Sequence, residues 1–176
     1  MDRSAIGAAI GIAFGCLWGV VGSSGLPTRW RSTASFLSIG ISTALCVAIL
    51  MIRAHPQALT FRGKIYLLAV LFEVVAIVVA INLLKYYNRP DLLLPAVGFI
   101  VGLHFFGLWK AANQSIFLWI AAAMCVLCAI SAFLPTATEP NGLDLRRVTT
   151  GLGCAVVLWT SCLSRFSVTS QKIAAP

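Results

Sequence analysis

The sequence predicts an all-α integral membrane protein, a compact bundle of six transmembrane helices. Two features of composition and one of pattern lead there. Hydrophobic residues make up 60% of the 176 and charged residues 10%, against about 45–50% and about 25% in soluble domains. A soluble fold of this length could not cover so much apolar side chain, whereas lipid accepts it facing outward. The pattern is six apolar runs separated by breakers, each approaching the roughly 20 residues needed to cross the hydrocarbon core. Six such runs leave only short connections, so residues 1–176 form a single transmembrane domain.

The first span, 5–21, follows Arg3 and is rich in glycine. With the small residues Gly22-Ser23-Ser24-Gly25 behind it, it resembles a signal peptide, and it is read as the first helix. Gly25-Leu26-Pro27 separates it from the second span, 34–52, which stops before His55-Pro56. The third, 65–84, is the most continuously apolar, and it ends at Lys85 with Tyr86 and Tyr87, an interfacial belt. Arg89-Pro90-Asp91 precedes the fourth, 92–109. The connection 110–115 is short enough to make spans four and five, 116–134, an antiparallel hairpin. Pro135 and Pro140-Asn141-Gly142 lead to the sixth, 148–164, which carries Thr149, Thr150, Thr160 and Ser161.

An internal repeat is arguable. Gly11-Ile-Ala-Phe-Gly15 resembles Gly98-Phe-Ile-Val-Gly102, and the Cys46 and Cys125 regions echo each other. Two inverted three-helix repeats would follow, as in several transporter folds. The plainer account is that helices rich in Gly, Ala and Val look alike.

The net charge of +8 does not point to nucleic acid, which wants basic residues gathered on one exposed face. Here Lys and Arg sit at the ends of the apolar runs, as helix anchors and anionic headgroup contacts do. Seven lie on the side of the termini (Arg3, Arg53, Arg62, Lys64, Lys110, Arg165, Lys172) and six on the other. The cluster from Arg53 to Lys64 tips the expectation to cytoplasmic termini in a bacterial inner or another plasma membrane.

Glycines 7, 11, 15 and 19 fall every four residues and stack along one ridge of the first helix. Such a ridge lets a second backbone approach, from within the chain or from a second copy in a homo-oligomer. Gly98 and Gly102 give the fourth span a shorter version.

Glu73 lies near the centre of the third span, where a carboxylate costs at least about 2.5–3.5 kcal/mol unless protonated, paired or hydrated. By helix rise it sits about 13.5 Å from the membrane face marked by Lys64, and His104 about 9 Å from the same face at Lys110. Depths matching to about one turn permit a Glu73–His104 pair. Trp119, Trp159, Thr160 and Ser161 reach comparable depth and could line one cavity with it, opening toward the termini. Asn82, nine residues after Glu73, falls on the opposite face of its helix.

Cys125 and Cys128 share a helix face, yet a zinc site wants four ligands and a working dithiol a polar environment. No metal or cofactor is expected, and the six cysteines read as small packing residues. Gly22-Ser23-Ser24-Gly25 and His104-Phe-Phe-Gly107 resemble the GxSG and HxxG motifs of rhomboid proteases. That resemblance implies a Ser–His dyad, but Ser24 falls at the interface opposite the termini and His104 nearer the termini side.

Three functions follow, in order. The first is a small transporter or channel for a solute or cation, proton-coupled through Glu73 and His104. The second is a non-catalytic ligand-binding or accessory protein that docks through its glycine ridge. The third is an intramembrane enzyme. The partners expected are the lipid bilayer and a small-molecule or ion ligand.

Overall fold

The computed structural model describes residues 3–52, 62–137 and 142–173. Arg53, His55-Pro56 and Pro140-Asn141 lie outside the described residues, as do the side chains of Arg3, Arg165 and Lys172. The described chain is all-helical. Six α-helices run α1 (Arg3–Ser23), α2 (Thr28–Ile52), α3 (Gly63–Tyr86), α4 (Leu93–Ala112), α5 (Ser115–Ser131) and α6 (Leu145–Ile173). A single 3-10 turn, Pro90–Leu92, leads into α4. Three runs are long and apolar enough to cross a membrane: Thr28–Met51, Gly63–Tyr86 and Pro90–Ala112.

Every expected span contains a helix, with shifted ends. α2 begins six residues before the expected start, because Pro27 sets up a helical first turn in which its carbonyl accepts the Trp30 N–H at 2.8 Å. The polar stretch Thr28–Thr33 therefore continues the helix instead of linking to it. α5 stops at Ser131, and Ala132 to Leu134 form a turn before Pro135. α4 ends where Asn113 turns left-handed at φ 54°, a conformation asparagine tolerates, and its N–H caps the Trp109 carbonyl.

The helices neighbour one another in the order α3–α4–α5–α6–α1–α2, and α6 also touches α4 and α2. α2 and α3 make no contact among the described residues, although α5 and α6 pack together. The first three helices therefore do not form a unit matching the last three, and the expected inverted repeat has no counterpart in the packing.

α6 is the hub. Its Cys154, Ala155, Leu158, Trp159 and Cys162 are all buried in one core with Ile12, Trp18, Val101 and Met124. Its inner face carries Thr150 and Gly151, while Val156, Thr160 and Leu163 on the outer face are exposed. Ser131 and Thr150, both fully buried, bond each other at 2.7 Å across α5 and α6.

Glycines set the closest approaches. Added β-carbons at Gly15 and Gly19 would meet the Trp159 indole and the Ser38 side chain, each at 2.6 Å. The ridge thus faces α6 and α2 of the same chain. Two corrections apply: Gly7 is exposed, and Gly11 has ordinary room beside Cys162 at 3.4 Å. The tightest point lies further on, where Gly22 of α1 crosses Gly151 of α6 backbone to backbone. Gly98 and Gly102 receive the thiols of Cys128 and Cys125, so the i,i+3 cysteines of α5 seat on the i,i+4 glycines of α4.

Trp159 fills the notch that Gly15 and Gly19 leave, and its indole N–H donates to Ser42 Oγ at 3.1 Å. Trp159→Phe should lower stability by about 2 kcal/mol, since that buried bond is lost and the five-membered ring no longer fills the notch at Gly15. Thermal unfolding in detergent reads it. Trp119→Phe, at a residue 72% exposed, should leave the midpoint unchanged.

Candidate functional site

Glu73 belongs to the stripe by which α3 meets α4. Ala69, Glu73, Ala76 and Ala80 recur at helical spacing, with Ala69 buried and the other three half-buried. Small residues on that stripe, with Gly107 opposite Ala69, bring the two antiparallel helices close. Across the seam His104 Nδ1 lies 3.3 Å from Glu73 Oε2, with 11% of the histidine side chain and 21% of the glutamate exposed. The same Nδ1 lies 3.1 Å from the Ala69 carbonyl.

The Nδ1 atom of His104 thus faces two oxygens of α3, the Ala69 carbonyl and the Glu73 carboxylate. The pair stands in surroundings that penalise a lone charge.

The expected pocket around this pair is not formed. Beside His104 lies a groove of about 320 Å³, bounded by α3 and α4 from Ile65 to Lys110, with nearly all its lining apolar. Trp119, Trp159, Thr160 and Ser161 do not line it. Trp119 points outward on α5. Trp159 is buried against Ser42, and Thr160 and Ser161 donate to carbonyls of their own helix, Val156 at 2.8 Å and Leu158 at 2.7 Å. α3, which carries Glu73, packs on α4 and not on α6. Asn82 is exposed and bonds back to the Val78 carbonyl at 2.8 Å.

A second polar feature had no signature in the sequence. At the end of the bundle away from the termini, a cavity of about 560 Å³ is bordered by Ser24, Asp91, Asp144, Arg146 and Arg147. Arg146 holds three elements there: its guanidinium bonds the Asp91 carboxylate before α4 and, through Nε at 3.1 Å, the Leu134 carbonyl after α5. Arg89 also pairs with Asp91, at 3.3 Å, and Arg147 with Asp144, at 3.7 Å. Scattered as they are from 89 to 147, these residues read in sequence only as interfacial anchors.

Ser24 opens on this cavity and donates to the Val21 carbonyl at 2.6 Å. His104 borders the groove toward the other end, so the two protease-like motifs do not meet. Cys128 and Cys154 lie with their sulfurs 3.8 Å apart in the core. Among the described residues, no three His, Cys, Asp or Glu side chains gather into a group that could hold a metal ion.

Comparison with protein-family models, with curated proteins and with solved structures finds no match to this chain.

Proposed function

We propose that this chain crosses a plasma membrane six times and moves a small solute or cation, with Glu73 and His104 as its proton-exchanging group. The observation that supports this most is the contact itself: two ionisable side chains, 3.3 Å apart, inside a seam of otherwise apolar helices. Intramembrane ionisable residues are costly and most often mark a solute or proton path. The shared Nδ1 position gives the pair a way to load and release one proton. Cytoplasmic termini and a bacterial inner membrane remain part of this reading, on the cations from Arg53 to Lys64.

The test uses purified protein in liposomes carrying an entrapped pH dye, with an imposed sodium or potassium gradient. Wild type should change the lumen pH in response. Glu73→Gln should abolish that response with the fold intact, because the amide keeps shape and hydrogen bonding but releases no proton in this range. Wild-type rates in Glu73→Gln would remove the proton role.

A second reading, a ligand-binding or accessory protein, is favoured by the filled core and the apolar lining of the groove. It expects no ion-coupled pH change from wild type and a nearly silent Glu73→Gln. Its original basis is weaker, since Gly15 and Gly19 are taken up by α6 and α2. Among the described residues, no nucleophile and base are assembled to support an enzyme.

A further inference from the structure

The groove beside His104 faces out of the bundle. Ile65, Leu68, Phe72 and Leu103 wall it, and Leu68 and Phe72 are 66% and 51% exposed. Among the described residues, α3 touches only α4 and the turn before it, so no other helix covers this face. The cleft exists because its floor is small: a β-carbon on Gly107 would fall 2.6 Å from that of Ala69. The helices close there, and the larger flanking side chains stand up on either side. The resulting trough follows the helices, the direction in which acyl chains run.

One end of the trough is cationic. Lys110 lines its mouth, and the start of α3 brings Arg62 and Lys64 to the same end, where the Arg62 N–H donates to the Ala111 carbonyl at 3.0 Å. All three side chains are exposed. The described carboxylates are elsewhere: Glu73 is deep in the seam, and Asp91 and Asp144 are engaged by Arg89, Arg146 and Arg147 at the other end. Among the described residues, then, no acid balances the cations at the mouth.

We propose that the α3–α4 groove binds one acyl chain of an anionic phospholipid from the surrounding leaflet, with the phosphate held by Arg62, Lys64 and Lys110. Apolar walls and a cationic mouth at the headgroup level together select an amphiphile with a net negative head. A zwitterionic lipid fills the trough equally well but brings its own cation to the mouth. The site stands whether or not Glu73 and His104 move protons, although an occupied groove would lie against the imidazole.

The protein in dodecyl maltoside is titrated with palmitoyl-oleoyl phosphatidylglycerol, with the phosphatidylcholine of the same chains, or with glycerol phosphate, and thermal unfolding is followed. Phosphatidylglycerol should raise the midpoint at lower concentrations than phosphatidylcholine, and glycerol phosphate should not raise it. Each cation near a lipid surface contributes about fivefold in affinity, so Lys64→Gln/Lys110→Gln should raise the half-maximal phosphatidylglycerol concentration about 25-fold. Leu68→Trp, which fills the trough at an exposed position, should abolish the shift while leaving the lipid-free midpoint near wild type. Equal effects of the two lipids, or a shift from glycerol phosphate alone, would overturn the proposal. So would an unchanged phosphatidylglycerol response in the double lysine variant, which decides the matter if Leu68→Trp fails to fold.

Discussion

Gly151→Ala should cost the bundle about 3 kcal/mol or more, the largest effect of any single methyl group in this chain. A β-carbon there would fall 2.2 Å from the Gly22 Cα and 2.9 Å from the Trp18 carbonyl. Those are backbone atoms, so no side-chain rotation relieves the clash, and α1 and α6 must separate. Separation would withdraw Trp159 from Gly15 and Gly19 and open the core around the hub helix. The reciprocal Gly22→Ala meets the Leu152 N at 2.5 Å and should behave alike, with Gly151→Leu giving little folded protein. Gly40→Ala is the control. Nothing lies within 4 Å of its added carbon, so α2 should keep its stability or gain up to about 1 kcal/mol in helix propensity. Thermal unfolding in detergent distinguishes these, and an unchanged midpoint for Gly151→Ala would mean that α1 and α6 do not cross there.

Arg146→Met should lower stability by about 1.5–3 kcal/mol, the range for hydrogen bonds to a charged group. Arg146 is 9% exposed, and its guanidinium joins the Asp91 carboxylate to the Leu134 carbonyl. Methionine keeps much of the stem's packing but leaves both acceptors with less than they had. The loss should loosen the end of the bundle where the starts of α4 and α6 meet the end of α5, and denaturation should become less cooperative there. Arg89→Gln removes the other partner of Asp91 from a side chain 55% exposed and should change stability by no more than about 1 kcal/mol. Equal losses from the two variants would show that Asp91 is an ordinary surface charge and Arg146 no clasp.

The two sites differ in how far the linear chain announces them. Glu73 stands out because a carboxylate amid Val, Ile and Leu is costly, and that cost is visible without coordinates. His104 could be set at a similar depth because helix rise per residue is nearly constant. The Arg146 clasp could not be anticipated in the same way. Its partners lie 55 residues away at Asp91 and 12 away at Leu134, and charges at helix ends look alike whether they face water or each other.

The helices also differ in their surroundings. α2 and α3 stand at the two ends of the row and expose long apolar faces, and both are long and apolar enough to span. α1 and α6 pack against each other at the centre, where Gly15, Gly19, Gly22, Thr150 and Gly151 are turned to protein.

Composition and local pattern thus settle the helical class and the number and rough limits of the elements. All of these follow from properties repeated residue by residue: side-chain transfer energy, backbone bonding and a rise of about 1.5 Å. Rotation and neighbourhood are decided only in the assembled bundle. Trp119 faces outward, whereas Trp159 is held between Gly15 and Ser42. α3 lies against α4, which joins Glu73 to His104 and keeps both from the residues of α6. The choice depends on how glycine notches and bulky side chains interdigitate across several helices at once, and no short stretch of sequence contains that sum.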